Sequence, residues 1–289
     1  MVPGGQAQLD LPGMPRRLFP ATPSKLAAFA DCPRRYRFSY VDRPTPPKGP
    51  VWAHNTVGSA VHAALRSWWE LPVGRRTPVA ARQLLYATWS QNGFRDAEQS
   101  ERWRARAAGW LTDYVAGLDP ADEPVGTERQ VAATTERLAL TGRVDRIDQR
   151  GDELVVVDYK TGRAVCTDDE ARGSPALAAY VLGVRRTLRR PCSRVELHHL
   201  PSGTVAAFEH TDRSLANHVR RAEDIAADIE AATAAAAAGE DPDVAFPAVP
   251  GRHCGWCDFR ASCPAGRAAA PPRETWSFLA EDRDDDRAG

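Results

Sequence analysis

Three charged residues on two neighbouring segments of this chain carry side chains that hydrolytic chemistry needs. Asp145 lies in GRVDRID, and Asp158 and Lys160 lie in VVVDYK, two segments with the composition of β-strands. Because residues two apart in a strand share a face, Asp158 and Lys160 project together while Tyr159 faces away. Carboxylates are hard ligands for a divalent ion that activates water, and the ammonium group can hold the water or neutralise developing charge. The three residues therefore predict a metal-dependent phosphodiester hydrolase site.

The surroundings of the Asp-x-Lys pair decide its meaning, because such pairs are common on exposed strand faces. Residues 154–157 form the apolar run Leu-Val-Val-Val, which is typical of a strand buried on both faces. This run leads directly into Asp158 and Lys160. Charged side chains at the end of a buried strand need a chemical reason, which favours a functional site over a solvated ion pair.

A helix upstream offers a further candidate ligand. Apolar residues repeat at helical spacing in NTVGSAVHAALRSWWE, where Gly58 and His62 lie one turn apart. A lone histidine in such a helix is most often packed in a core. Glycine inside a helix costs about 1 kcal/mol relative to alanine, so Gly58 indicates close approach by another backbone or by a ligand. We therefore treat His62 as a candidate site residue.

Four of the six cysteines are arranged so that they can serve one metal centre. Cys254 and Cys257 lie in one tight turn, and Cys263 follows closely enough to supply a third thiolate. Cys32 is the best candidate for the fourth ligand, because Pro33 directs the chain into a predicted helix. Thiolates bind zinc as well as iron–sulfur clusters, so ligand type alone leaves both open.

The remaining cysteines, Cys166 and Cys192, are predicted to be free thiols. Disulfides are not expected, because the chain shows no signal peptide and no transmembrane run, and cytosolic thiols normally stay reduced. We accordingly expect a cytoplasmic protein without a membrane partner.

The motifs, taken in chain order, resemble those of the RecB-type branch of the PD-(D/E)XK nucleases. They are Gly58-x-x-x-His62, Asp145 and Asp158-x-Lys160. In relatives that carry an iron–sulfur cluster, such as the AddB nuclease domain and the CRISPR-associated single-strand nucleases, one cysteine precedes the nuclease core and three follow it. The resemblance implies a 4Fe-4S cluster, rather than zinc, on four residues: Cys32, Cys254, Cys257 and Cys263.

The same resemblance implies roles for the charged residues. Lys160 would orient the nucleophile or stabilise the charge of the transition state, and a bound Mg²⁺ or Mn²⁺ would take its ligands from His62, Asp145, Asp158 and the backbone carbonyl of Tyr159. Many relatives also have a glutamate where Glu128 stands, at the start of the first core strand; an ordinary surface acid is an equal alternative.

A tyrosine on the helix after the lysine strand extends the resemblance. Tyr180 matches the family's Gln-x-x-x-Tyr element, which implies a role in DNA binding. Ala176 occupies the glutamine position, so one DNA contact of the family is missing here.

Charge distribution favours nucleic acid more than total charge does. The 289-residue chain has a formal net charge of zero, but Arg34, Arg35 and Arg37 cluster beside Cys32 and are candidate DNA phosphate contacts. The tryptophans between residues 52 and 110 could stack on bases, although we expect most of them to pack helices together.

The order of predicted elements indicates an α/β fold with a restriction-endonuclease-like mixed sheet flanked by helices. Strands are predicted near 127–133, 138–148, 153–160, 193–200 and 203–209, with helices near 173–189 and 212–238. The expected organisation is a flexible leader (1–20), a helical portion carrying Cys32 and His62 (21–120), the nuclease core (121–240), an iron–sulfur segment (241–266) and a disordered acidic tail (267–289).

Together these features predict a metal-dependent deoxyribonuclease, an exonuclease acting on single-stranded DNA or DNA ends in repair or recombination. Three alternatives stay open: a CRISPR adaptation nuclease, a catalytically weak DNA-binding subunit, and a zinc-stabilised interaction module. The chain has no Walker A sequence, so a helicase would have to be a partner in trans.

Overall fold

The computed structural model describes residues 17–280, which form a mixed six-stranded sheet flanked by helices. The strands are Phe19–Ala21 (β1), Gly126–Thr134 (β2), Leu138–Arg150 (β3), Glu153–Lys160 (β4), Cys192–His199 (β5) and Thr204–Glu209 (β6). The helices are Pro23–Asp31 (α1), Pro33–Tyr40 (α2), Ala53–Trp69 (α3), Pro78–Thr88 (α4), Ala97–Ala116 (α5), Asp168–Gly173 (α6), Pro175–Leu188 (α7), Asp212–Ala237 (α8), Pro242–Ala245 (α9) and Pro264–Ala269 (α10). The predicted α/β class and mixed sheet are confirmed.

Strand β3 organises the sheet. It pairs with antiparallel β2 along one edge, and along the other edge it pairs first with parallel β1 and then with antiparallel β4. Strand β4 pairs in parallel with β5 after a crossover through α6 and α7, and antiparallel β6 follows β5. The short hairpin between β3 and β4 therefore brings the end of β4, with Asp158, alongside the middle of β3, with Asp145.

The alternation of side chains along β4 divides the core between the two faces of the sheet. Val155, Val157 and Tyr159 pack with helices α3, α4 and α5, whereas Leu154 and Val156 pack with α7 on the opposite face. Both sets are buried, which explains the uninterrupted apolar sequence of this strand. The strand thus holds its charged C-terminal end against helices on both sides.

Local capping explains where the helices differ from the predicted ones. One helix was predicted over 173–189, but Ser174 separates α6 from α7 because its hydroxyl accepts a hydrogen bond from the Leu177 amide and Pro175 occupies the first turn. Thr22 caps α1 by accepting a hydrogen bond from the Lys25 amide. Helix α8 packs mainly against α1 and α7 in addition to the sheet.

Residues 270–280, which we call the C-terminal strap, are ordered against the core instead of forming part of a disordered tail. Leu279 is buried, and its carbonyl oxygen accepts a hydrogen bond from the indole of Trp103 at 3.1 Å. The Thr275 carbonyl accepts the amide of Ala53 in the first turn of α3, also at 3.1 Å. The expected disorder over 267–289 is therefore wrong for 267–280, while residues 281–289 lie outside the described residues.

The N-terminal leader also differs from expectation at its end. Residues 1–16 lie outside the described residues, but Phe19–Ala21 forms β1 and adds a parallel strand to β3. None of the helices between residues 17 and 280 combines the length and hydrophobicity that a membrane crossing requires. As expected, the tryptophans of the N-terminal half serve mainly to pack the core: Trp52, Trp68, Trp69 and Trp103 are buried, and Trp89 and Trp110 pack against the same core.

Candidate active site and cysteine cavity

The candidate site lies where β3 and β4 separate. Their backbone ladder ends at the pair Arg146 and Val157, and beyond it the Asp145 carboxylate accepts the hydrogen bond of the Tyr159 amide at 2.9 Å. A side chain thus replaces a backbone partner at the point of separation, because a buried amide needs an acceptor. This arrangement fixes Asp145 beside the end of β4.

His62 reaches the same place from helix α3. Its Nε2 atom lies 3.1 Å from the Tyr159 carbonyl oxygen, and its Nδ1 atom lies 3.4 Å from Oδ2 of Asp145. Burial acts to lower the pKa of His62, but the hydrogen bond and charge of Asp145, together with the charges of Asp158 and Glu128, outweigh it and raise that pKa. The surrounding acidic residues therefore favour the protonated, positively charged form of His62.

Glu128 completes a group of potential metal ligands. In residues 17–280, His62, Glu128 and Asp145 form the one group of histidine, cysteine and acidic side chains whose ligand atoms all lie within 4.8 Å of one another. Glu128 has φ = 47°, in the left-handed region that a non-glycine residue rarely adopts. Backbone strain of this kind persists where surrounding structure enforces it and is frequent at functional sites. The structure thus places Glu128 inside the cleft, not on an ordinary surface.

Asp158 and Lys160 lie beside this group and face each other. The Lys160 Nζ atom is 2.6 Å from Oδ2 of Asp158, an ion pair although not a hydrogen bond of regular geometry. Burial raises the pKa of Asp158, as does Asp145, while Lys160 partly offsets both. Burial acts to lower the pKa of Lys160, but Asp158 outweighs it and raises that pKa. The predicted alternation with Tyr159 facing away is found, since Tyr159 is buried against the helices.

The donor set fits a divalent cation. Neighbouring ligands of an octahedral ion with bonds of about 2.1 Å are separated by about 3 Å, close to the 3.4 Å between Nδ1 of His62 and Oδ2 of Asp145. The buried Oδ2 atom of Asp158, which is paired with Lys160 at 2.6 Å, is a further carboxylate oxygen beside this group. Imidazole, carboxylate and carbonyl donors together suit Mg²⁺ or Mn²⁺.

A cleft of about 960 Å³ opens over these residues. One wall is the face of α3 that carries His54, Gly58 and His62, and the opposite wall consists of β2, β3 and Tyr180 of α7. A side chain at Gly142 would overlap the Tyr180 ring, with a Cβ only 2.6 Å from its Cε1 atom. Tyr180 therefore lies against β3 at Gly142 and forms part of the cleft surface.

A buried polar network supports the site from the opposite face of the sheet, and sequence analysis missed it. The Arg146 guanidinium donates to the hydroxyls of Tyr114 and Tyr159 at 3.0 and 3.2 Å and pairs with Asp148. The Tyr114 hydroxyl also lies 2.8 Å from Nδ1 of His198. Strand alternation is the one sequence signal that could have indicated this network. Arg146 directly follows Asp145 in β3, so its side chain points to the opposite face of the sheet, away from the cleft.

The four candidate cluster cysteines come together at one cavity of about 370 Å³, lined by Cys32, Cys254, Cys257 and Cys263. Helix α2 begins at Pro33, directly after Cys32, as predicted. Backbone amides donate to two of the sulfurs: Val249 to Cys32 at 3.4 Å and Gly266 to Cys263 at 3.3 Å. Amide hydrogen bonds of this kind favour thiolates that hold a metal centre.

The sulfurs of these cysteines are more widely spaced than the ligands of a single zinc ion. Among the described residues, no three cysteine sulfurs lie within 4.8 Å of one another. Four thiolates on a single zinc, with bonds of about 2.3 Å, would lie about 3.8 Å apart. The arrangement is wider than a zinc site needs, and the cavity leaves room for a larger group.

The three arginines beside Cys32 differ in their ion-pair partners and in their exposure. Arg34 and Arg37 are buried, and each forms an ion pair with Asp243, at 3.1 and 2.8 Å. Their charges tie α2 to the segment that precedes the cysteine turn, so they are not directed towards DNA. Arg35 pairs with Asp31 at the surface and is the one of the three that remains accessible to a ligand.

Comparison with known proteins identifies the family. A family model described as the PD-(D/E)XK nuclease superfamily matches residues 20–264. A crystal structure of a "Putative exonuclease" from Eubacterium rectale is similar, with 15% identity, a TM-score of 0.44, and coverage of 93% of this chain and 92% of that chain. No curated protein matches the chain. Because the family model spans most of the chain, from β1 through the cysteine segment, the protein belongs to the PD-(D/E)XK nuclease superfamily and is a nuclease.

Proposed function

We propose that the protein is a Mg²⁺- or Mn²⁺-dependent deoxyribonuclease that acts as an exonuclease on single-stranded DNA or DNA ends. The observation that carries this proposal is the convergence of His62, Glu128 and Asp145 beside the Asp158–Lys160 pair in one open cleft. The RecB-type order of the motifs supports a role in repair or recombination, with any helicase on another chain. CRISPR adaptation would use the same chemistry.

Each residue has a definable task in this mechanism. A bound divalent ion supplies Lewis acidity to the scissile phosphate. His62, Asp145, Asp158 and the Tyr159 carbonyl would hold the ion, with Glu128 as an additional acid. Lys160 holds the attacking water by a hydrogen bond and offsets the charge that develops as the new P–O bond forms. The attacking water gives up one proton to solvent as its P–O bond forms, the bond to the leaving sugar oxygen breaks, and that oxygen takes up a proton from solvent.

Substitution of Asp158 and of Lys160 tests the proposal. We expect Asp158→Asn and Lys160→Gln each to lower the rate of Mg²⁺-dependent DNA cleavage by at least 100-fold, because the first removes a proposed metal ligand and the second removes positive charge that offsets the charge of the transition state. Asp152→Asn, in the exposed turn between β3 and β4, is the matched control and should cleave normally. Time courses of product length from 5′- and 3′-labelled DNA separate exonuclease from endonuclease action. Cleavage at the wild-type rate by both site variants would contradict the proposal.

The cysteine cavity is the second component of the proposal: we assign it a 4Fe-4S cluster held by Cys32, Cys254, Cys257 and Cys263. The wide sulfur spacing and the two amide-to-sulfur hydrogen bonds support it. The cluster would tie α2 to the chain beyond α9, so its role would be structural.

Metal analysis tests this assignment directly. Protein purified without oxygen should be brown and contain about four iron and four sulfide ions per chain, as the proposed cluster requires. Cys257→Ser should lose the iron and melt at a lower temperature, whereas Cys166→Ser should retain the iron. A colourless protein with one zinc ion per chain would refute the cluster.

A further inference from the structure

Arg143 forms an ion pair with Glu128, one of the three potential metal ligands. Its Nε atom lies 2.8 Å from Oε2 of Glu128, and its side chain is 69% exposed while that of Glu128 is 17% exposed. Arg143 lies two residues before Asp145 in β3, so both project from the same face of the sheet into the cleft. The guanidinium group therefore lies at the border between the ligand group and the open cleft.

The Glu128 carboxylate faces a competition between two positive partners. It belongs to the group of three potential ligands, and it also accepts the Arg143 guanidinium. An ion pair with so exposed an arginine contributes only about 0–1 kcal/mol, which a divalent ion held by several donors readily exceeds. When Glu128 turns to the cation, Arg143 loses its carboxylate partner but remains anchored on the cleft wall.

Charge balance indicates what the released guanidinium would bind. Glu128, Asp145 and Asp158 carry the negative charges, and Lys160 with a divalent cation would neutralise them. The negative charge of an entering phosphodiester is then left without a counter-charge. Guanidinium groups bind phosphate oxygens through two parallel hydrogen bonds, which matches this requirement.

We propose that Arg143 is a phosphate-binding residue of this nuclease, paired with Glu128 in the absence of metal and released by metal binding to hold a phosphate of the DNA strand. The inference rests on the proposed deoxyribonuclease function and adds a residue to it. In this arrangement the Arg143 guanidinium is released from Glu128 to bind phosphate only when metal is bound. Metal and DNA should therefore bind cooperatively.

Measurements of Mn²⁺ and DNA binding test this role separately from activity. Arg143→Gln should bind Mn²⁺ about 2- to 5-fold more tightly than wild type in calorimetric titrations without DNA, because Glu128 no longer has a competing partner. The same variant should bind single-stranded DNA about 10-fold more weakly by fluorescence anisotropy with Ca²⁺ as the metal. Its salt dependence should also be shallower by about 0.7 in the slope of log K against log salt, the value for one lost phosphate contact.

The control is Arg129→Gln, a neighbouring exposed arginine on β2 that does not line the cleft. It should leave Mn²⁺ affinity and the salt slope unchanged. Arg143→Lys should recover the salt slope but only part of the affinity, because an ammonium group cannot form the paired hydrogen bonds.

The outcomes are distinguishable. Opposite changes in metal and DNA affinity support the inference, since general damage to the site would weaken both. Unchanged DNA affinity and salt slope in Arg143→Gln, or weaker Mn²⁺ binding, would overturn it while leaving the nuclease proposal intact. If wild-type protein binds neither Mn²⁺ nor DNA, the proposed function fails, and the inference fails with it.

Discussion

The ring of Phe278 packs edge to face against Trp256, with centroids 5.4 Å apart, and in the same way against His54, at 5.0 Å. Trp256 lies between Cys254 and Cys257, and His54 lies on the helix that carries His62. The C-terminal strap therefore contacts both the cysteine segment and helix α3, which carries His62. If the cysteine segment lost its ordered structure, the packing of Phe278 against α3 would change as well.

The strap should contribute substantially to stability. Leu279→Ala removes a buried side chain from the core formed by α3, α4 and α5, so we expect the free energy of unfolding to fall by about 2–5 kcal/mol. Val244→Ala, at an exposed position of α9, should change it by less than about 0.5 kcal/mol. Urea denaturation of the two variants measures the difference, and equal effects would show that the strap adds little.

The buried guanidinium beneath the active site should be intolerant of truncation. Arg146→Met leaves Asp148 and the hydroxyls of Tyr114 and Tyr159 without their cationic partner, so we expect a loss of about 3–5 kcal/mol in unfolding free energy. Tyr159→Phe removes a single hydroxyl and should cost about 1–2 kcal/mol. Chemical denaturation followed by circular dichroism tests the order of the two effects; a smaller loss for Arg146→Met would contradict the network's importance.

Gly142→Ala should displace Tyr180 without unfolding the protein. The added Cβ would lie 2.6 Å from the ring, which must rotate away from the strand. If Tyr180 contacts DNA, affinity for single-stranded DNA should fall at least about 5-fold, since stacking on one base is worth about 1–3 kcal/mol. Gly109→Ala on α5, where no atom lies within 4 Å of the added Cβ, is the control and should leave binding unchanged. Unaltered DNA affinity in Gly142→Ala would exclude Tyr180 from the interface.

His210 should make the protein less stable at mildly acidic pH. Burial, and then the charges of His218 and Arg185, lower the pKa of His210 to about 4. The unfolded chain binds this proton near pH 6.5 but the folded chain does not, so the free energy of unfolding should fall as the pH drops from 6.5 to 4. With allowance for solvent screening, we expect a contribution of about 1–2 kcal/mol.

The control is the same pH series on His210→Gln, which cannot take up the proton. The decrease between pH 6.5 and 4 should be smaller in this variant than in wild type. Parallel curves for the two proteins would show that His210 is not the responsible group.

The parts of the molecule that follow local rules could be predicted from the sequence. The strands from residue 126 onwards lie within a few residues of their predicted positions, because alternation and apolar runs are properties of neighbouring residues. The sequence also indicated that Asp158 and Lys160 share a face, since strand periodicity determines it. The cysteine grouping came instead from resemblance to a family, because spacing cannot show that Cys32 returns to Cys254.

The features that escaped prediction depend on contacts between distant segments. The positive φ of Glu128 arises inside β2 without a glycine to signal it, and the ion pair to Arg143 requires the register of β2 against β3. The C-terminal strap was predicted to belong to a disordered tail together with the acidic residues that follow it. Its order comes from partners such as Trp103 and Ala53, which are far away in sequence.

The position of the strap also has a consequence for biosynthesis. The first turn of α3 and the indole of Trp103 receive their hydrogen-bond partners from Thr275 and Leu279. Synthesis proceeds from the N-terminus, so a ribosome must translate well over a hundred further residues before these partners exist. Until then the first turn of α3 and the Trp103 indole lack these two hydrogen-bond partners.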